Sequence, residues 1–317
     1  MAMDPKNRQP IAVIVGPTGI GKSSLSLQLA NQFNGEIISA DSRLIYRGMD
    51  IGTDKPSLAD RQIVRHHLID ICSPNETISL GQYNRMALEA LHQVQSNGSL
   101  PFLVGGTGQY IMALIEGWQI PEVAPDEDFR RELGKLSEIE LDRWLRSIDP
   151  LSAGRIDYRN RRRVIRALEV TIKTGQPFSE FQKKVDPGFD LLMIGLTSNR
   201  EAIYKRIDDR VDNMMANGLL EEVVQLRNQG HSRTLSSMSA LGYRQLMDYL
   251  DGDCTLEEAV ERIKFETHRF VRQQSNWFRP DDQRIQWFDV GQPAYTAAIV
   301  NTLSVWLGNR ADPMGSQ

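Results

Sequence analysis

Cysteine is scarce in this sequence: Cys72 and Cys254 stand alone among 317 residues. They lie far apart and outside any paired metal spacing, which excludes a disulfide framework and a zinc finger. Histidine is sparse too. His66 and His67 are adjacent, while His92, His231 and His268 are isolated, so no zinc-ligand pattern emerges. No apolar run reaches the roughly 20 residues of a membrane span. The opening MAMDPKNRQP also lacks the hydrophobic stretch of a signal peptide. These absences predict a cytoplasmic protein with free thiols and no membrane partner. A charge excess is missing as well. The formal net charge is −4, so a polyanionic partner must find a local basic patch. The sequence has no internal repeat and no low-complexity segment.

What is present alternates. IAVIV (11–15), EIISA (36–40), HLIDI (67–71), PFLVGG (101–106) and LLMIGLT (191–197) read as buried strands, and IQWFDV (285–290) as an edge strand. Helical spacing follows the first strand at SSLSLQLANQF. A Ser79/Gln82 capping box opens another helix, which stops at Asn97-Gly98. The alternation predicts an α/β fold, a parallel sheet flanked by helices, with the second strand paired beside the first. Between 118 and 188 the rhythm changes. Asp126, Ser137 with Glu140, and Asn160 open three helices, the last closed by Gly175. That predicts an all-helical domain at 118–188 inserted into a core made of 1–117 and 189–317. Ser198 with Glu201 then caps a helix, which is split from the next at Asn217-Gly218. SALGYRQLMDYLDG forms another, and Thr255 with Glu258 opens a long one to about Phe278. The tail after Leu307 is loose.

GPTGIGKSS at 16–24 fits the phosphate-cradling pattern G-x-x-x-x-G-K-[ST], and it follows a strand and opens a helix as that loop requires. The core is therefore P-loop NTPase-like. The stretch Gly16-Pro17-Thr18-Gly19-Ile20-Gly21-Lys22-Ser23 turns on its glycines so that amides face an anion, and the helix start adds positive charge. Lys22 supplies a point charge, and the Ser23 hydroxyl can ligate Mg²⁺. Asp41 ends the second strand at the carboxyl edge, where ligands bind. Its carboxylate can take a proton from a nucleophile, or it can open the turn of DSRLIYRG. No later strand ends in an aspartate suited to the second magnesium-holding role of P-loop ATPases.

Three further stretches carry candidate chemistry. In LVGGTGQY, Gly105 and Gly106 permit close backbone approach and Thr107 offers a hydroxyl. In RIDYRNRRRVIR, Arg159, Arg162, Arg163 and Arg166 share a helical face, with Val164 and Leu168 toward the core. Such arginines suit phosphate oxygens, or form a solvated face. Arg200, Arg206 and Arg210 follow the last core strand, placed to reach a leaving phosphate or to pair with Asp208 and Asp209. RFVRQQSNWFR (269–279) has the composition to stack single-stranded RNA, although Phe270, Trp277 and Phe278 suit a core equally well.

Taken together, GPTGIGKS, ISADSRLIYRGMDIGTDKP, HHLIDI, LVGGTGQYIMAL, RRVIRALEV, RIDDRVDNM, SALGYRQ and THRFVRQQSNWFR resemble the tRNA dimethylallyltransferases, also called tRNA isopentenyltransferases. The resemblance runs through most of the chain in the family's order. It implies a P-loop core with an inserted helical domain, and a P-loop that holds dimethylallyl diphosphate rather than ATP. The implied acceptor is the N6 amine of the adenosine 3′ of the anticodon, in the anticodon stem-loop of tRNA. By match, Asp41 is the general base, Arg210 steadies the departing diphosphate, and Thr107 organises the bridging oxygens or the target amine. Mg²⁺ sits at Ser23. Asp41, Ser42, Arg43 and Leu44, the run Arg162-Arg163-Val164-Ile165-Arg166, and Ser239-Ala240-Leu241-Gly242-Tyr243-Arg244 contact tRNA. The family's enzymes are monomers. Two positions depart from the family pattern, Gln109 and Asn199. A P-loop small-molecule kinase and a non-catalytic RNA-binding module are the rival readings.

Overall fold

The computed structural model describes residues 8–311. The chain divides into two compact units. Met1–Ile78, Met86–Ile111 and Gly188–Gln317 form one, and Ser79–Arg85 with Met112–Pro187 form the other.

The first unit is built on a parallel sheet, six-stranded among the described residues, in the order β3-β2-β4-β1-β5-β6. Its strands are β1 (Gln9–Val15), β2 (Gly35–Ser39), β3 (His66–His67), β4 (Leu100–Val104), β5 (Phe189–Thr197) and β6 (Ile285–Asp289). Ile11 to Val15 are fully buried because β1 has a neighbour on each side and apolar residues on both faces. Along β1, Ala12 and Ile14 join Phe102 and Ile194 against Leu25 and Leu29 of α1 (Lys22–Gln32). Burying each large aliphatic contributes about 1.5–3 kcal/mol.

One expected pairing is wrong. β2 pairs with β3 and β4, not with β1, so β4 lies between the first two strands. The HLIDI strand also stops after His67, because Leu68 and Asp70 adopt left-handed backbone at φ 62° and 58°.

The helices in chain order are α2 (Leu58–Ile63), α3 (Leu80–Ser96), α4 (Gly108–Ile115), α5 (Glu127–Leu133), α6 (Glu138–Ile148), α7 (Pro150–Arg155) and α8 (Arg161–Thr174). They continue with α9 (Arg200–Ala216), α10 (Leu219–Asn228), α11 (Tyr243–Leu250), α12 (Leu256–Gln274) and α13 (Tyr295–Ala311). The capping boxes at Ser137 and Thr255 form as expected, as do the Asp126 cap and the Gly175 stop. Elsewhere the boundaries move. Asn199, not Ser198, caps α9 by accepting from the Ala202 amide. SALGYR is a short turn at Ser237–Ser239 followed by a helix that starts only at Tyr243, after Gly242 at φ 92°. The helix opened by Thr255 ends at Gln274 rather than Phe278. α13 continues past Leu307 to Ala311, and the rest of the expected loose tail lies outside the described residues.

The second unit is helical, with its own core of Leu133, Leu141, Leu145, Ile156, Val164 and Leu168. It begins at Met112 rather than 118 and takes in Ser79–Arg85. Arg85 pairs with Glu122 at 2.9 Å. At its centre Glu169 is fully buried. Its carboxylate accepts from Arg130 Nη2 at 2.8 Å, Arg166 Nη1 at 2.5 Å and the Asp126 amide at 2.8 Å. Burial alone would raise the Glu169 pKa, but these bonds outweigh it and hold the carboxyl below its ordinary value. Replacing Glu169 with alanine strands two part-exposed guanidiniums. It is expected to destabilise this unit by roughly 2–3 kcal/mol, read as a lower urea midpoint. An unchanged midpoint would show that the cluster is dispensable.

Candidate active site

The site grows from the carboxyl edge of the sheet. Gly16 leaves β1 at φ 145°, where a Cβ would meet the Leu196 carbonyl at 2.7 Å. Gly21 at φ 103° starts α1. Lys22, the first residue of α1, folds back so that Nζ donates to the Gly16 carbonyl at 3.0 Å and the Pro17 carbonyl at 2.9 Å. Burial lowers its pKa to about 8. The Asp41 carboxylate opposes that shift, the Arg210 guanidinium adds to it, and Asp54 opposes it.

Asp41 leaves β2 and accepts from the Arg43 amide at 2.8 Å, so it does open the DSRL turn. It also lines two cavities. The first, of 610 Å³, is walled by the P-loop residues Gly19, Gly21, Lys22 and Ser23 together with Leu44, Asp54 and Arg206. The second, of 780 Å³, is walled by Ser42, Arg43, Thr107, Ser239 to Gly242, Arg244 and the α12 residues Glu266, Arg269, Phe270 and Gln273. Thr18, Asp41, Thr53 and Arg210 belong to both. The turn role and a site role for Asp41 are thus compatible.

Thr107 is tied to the DSRL loop. Its Oγ1 accepts from the Ser42 amide at 3.0 Å and donates to Ser42 Oγ at 3.3 Å, while its own amide donates to the Ala40 carbonyl at 3.1 Å. Arg210 reaches Asp54 at 3.4 Å, and its buried Nε has no hydrogen-bond partner among the described residues. Arg206 donates to the Ile20 carbonyl at 3.3 Å. Neither arginine takes the expected pairing with Asp208 or Asp209; Lys205 holds Asp209 and His268 holds Asp208.

The arginine-rich helix separates into roles that the sequence did not distinguish. Arg159 lies outside α8 and is forked onto Asp157. Arg166 is spent on Glu169 and the Val123 carbonyl, and Val164 is buried. Ile165 packs against the helical core, while Arg162 and Arg163 are exposed. In the first unit Tyr243 is also buried, its hydroxyl donating to Glu222 Oε1 at 2.6 Å. The side chains of Val164 and Tyr243 are therefore both packed inside their own units.

Sequence reasoning missed two residues. Glu222 accepts from three successive amides, Asp50 at 2.9 Å, Ile51 at 2.8 Å and Gly52 at 3.2 Å, and so shapes the loop that carries Thr53 and Asp54. Gln274 is 5% exposed and bonds to both the P-loop and the glycine turn. Its spacing from Ala259, Ile263 and Thr267 places it on the buried stripe of α12, and a polar residue on that stripe was the available signal.

No group of three or more His, Cys, Asp or Glu side chains among the described residues could cage a metal. Ser23 offers a hard oxygen on the cavity wall, which fits Mg²⁺, an ion that takes few protein ligands when it shares phosphate oxygens. Asp289 ends β6, but its carboxylate accepts from the Gly291 amide at 2.8 Å within its own turn. Among the described residues, no helix is long and apolar enough to cross a membrane. Both cysteines are free, and burial pushes the Cys72 thiol up to about 11.

Comparison with known proteins follows the same outline. The IPP transferase family model matches residues 44–281. A tRNA dimethylallyltransferase of Thermomicrobium roseum is 46% identical over 292 residues, covering 91% of this chain and 88% of that one. One from a Roseiflexus species is 50% identical over 274 residues, covering 85% and 90%. The crystal structure of the tRNA isopentenylpyrophosphate transferase of Bacillus halodurans superposes with a TM-score of 0.71 at 39% identity, covering 96% and 98%. A eukaryotic dimethylallyltransferase acting on tRNA gives 0.83 at 27% identity, covering 98% and 81%. With its P-loop α/β core, three-quarters of its length matched by the family model and relatives near half identity, the chain belongs to the tRNA dimethylallyltransferase (IPP transferase) family.

Proposed function

We propose that the chain transfers the dimethylallyl group of dimethylallyl diphosphate to the N6 amine of the adenosine 3′ of the anticodon in tRNA, and releases diphosphate. The observation that carries this reading is the meeting of two cavities at Asp41, Thr18, Thr53 and Arg210. A donor anion on the P-loop and an acceptor base in the neighbouring cavity would then share one carboxylate and one guanidinium.

The exocyclic amine is a poor nucleophile, because its lone pair is delocalised into the purine. As N6 bonds to the allylic carbon, the carbon–oxygen bond breaks and its electron pair leaves with the diphosphate. Asp41 takes the amine proton. Charge developing on the leaving group is met by P-loop amides, by Lys22 swung off its two carbonyls, and by Arg210, whose Nε awaits an acceptor. Ser23 would hold Mg²⁺, which when bound supplies neutralising charge to the diphosphate. Thr107 fixes the DSRL loop beside the acceptor. Arg43, Arg244 and Arg269 line the acceptor cavity and would meet the backbone of an extruded nucleotide. In the helical unit, Arg162 and Arg163 are exposed members of the arginine-rich run and would meet phosphates. One chain supplies all of these groups, and the reading is of a monomer that works in the cytoplasm.

This chemistry makes four predictions. Incubated with isotope-labelled dimethylallyl diphosphate, Mg²⁺ and tRNA, the protein should move label onto tRNA and release diphosphate without ATP. Asp41→Ala should slow that transfer about 10²–10⁴-fold with tRNA affinity within a few-fold, and an unchanged rate would refute the base assignment. Donor affinity should be flat below pH 8 and weaken as pH rises through it. Lys22, depressed to about 8 in the free protein, must then gain a proton to pair with the anion. Calorimetric titration from pH 7 to 9.5 measures this, and a flat profile would show that Lys22 gains no proton when the donor binds. Arg162→Ala and Arg163→Ala should each weaken tRNA binding and lower the salt slope by about 1, as read by filter binding across salt concentrations; an unaltered slope would mean that the arginine meets no phosphate.

A further inference from the structure

Gln274 is the last residue of α12, and it is buried although nothing in its own helix requires a polar group there. Its amide oxygen accepts from the Thr18 amide of the P-loop at 2.9 Å. Its amide nitrogen donates to the Gly106 carbonyl of the turn after β4 at 3.1 Å. A carboxamide is suited to this, since it presents one acceptor and one donor in a fixed plane. The fit leaves no slack: a Cβ at Gly106 would lie 2.4 Å from Gln274 Nε2 and 3.9 Å from Lys22 Nζ. The next residue of that turn, Thr107, holds Ser42 beside Asp41. Further back along α12, Glu266, Arg269, Phe270 and Gln273 face the acceptor cavity.

We infer that Gln274 is a positioning residue for the transfer: it fixes the gap between the donor cradle and the acceptor-side turn, and anchors the acceptor-lining helix to the P-loop. This rests on the function proposed above. Thr18 follows as a structural member of the loop, its amide committed to Gln274 and only the remaining amides left for the anion. The side chain touches neither substrate. It acts through two backbone groups whose separation decides whether the allylic carbon and the amine come within reach.

The test uses the full chain with saturating tRNA and labelled dimethylallyl diphosphate, well below the melting temperature of each variant. Gln274→Met fills the space without bonding to either group. Its turnover is expected to fall roughly 10- to 100-fold with tRNA affinity within about twofold. Gln274→Glu keeps the acceptor for Thr18, loses the donor to Gly106 and places a carboxylate close to Lys22. Its donor KM is expected to rise well above that of the methionine variant, because the carboxylate competes with the diphosphate for the lysine. In the unaltered protein without donor, hydrogen exchange should find the Thr18 amide protected, a readout that needs no variant to fold. Wild-type kcat and donor KM in both variants, with only the melting temperature lowered, would reduce Gln274 to packing and overturn the inference alone. Rapid exchange at Thr18 would do the same. A wild-type protein that moves no label onto tRNA overturns the functional reading together with the inference.

Discussion

Gly105 and Ala40 come so close that a Cβ on the glycine would lie 2.1 Å from the Ala40 carbonyl oxygen. This contact is what lets β4 stand between β1 and β2 while their three exits still converge. The Ala40 amide donates to Val104 at 2.7 Å, and the Thr107 amide returns the bond to Ala40. The β2 exit that carries Asp41 is thereby laced to the glycine turn, and the glycine turn to the P-loop. Parallel strands deliver their loops to one edge, but the side-chain-free step at Gly105 makes those loops touch. Asp41 reaches the P-loop cavity across an intervening strand because of it.

Charge is used in two ways, and composition does not tell them apart. Arg130 and Arg166 are consumed inside the helical unit by one buried carboxylate, and Arg130 thereby ties α5 to α8. Arg162 and Arg163, from the same run of arginines, remain in solvent. Arg210 stands between these cases: half-committed to an exposed Asp54, with one nitrogen unsatisfied. A buried guanidinium nitrogen without a partner is costly unless something arrives to meet it.

Local chemistry was legible in the sequence and non-local pairing was not. The P-loop, the capping boxes at Ser137 and Thr255, and the Gly175 stop each depend on residues within a few positions of one another. The strand order required knowing which strand intervenes, and β4 is far from β1 in sequence. Leu68 and Asp70 read as strand because their apolar neighbours do, yet Asp70 turns away to hold Lys55 at 2.6 Å and Arg61 at 2.7 Å. SALGYR reads as helix, but Gly242 breaks it so that the residues before Tyr243 can wall the acceptor cavity. The resemblance groups Val164 and Tyr243 with exposed arginines, and a motif records which residues travel together but not that these two side chains point inward. Gln274 was visible only as part of a composition.

Glu222 and the P-loop apply one device to opposite ends. Three consecutive amides at Asp50, Ile51 and Gly52 converge on a carboxylate that the chain itself provides, and Tyr243 adds a fourth donor. This amide nest is permanently filled from within. The other nest, at residues 16–23, has no resident carboxylate of its own, and Lys22 rests on two carbonyls there. The wall carrying Thr53 and Asp54 thus keeps its shape through an internal surrogate for an anion. Damage at Glu222, a residue absent from both cavity linings, would be felt as a slackened vestibule rather than as missing chemistry.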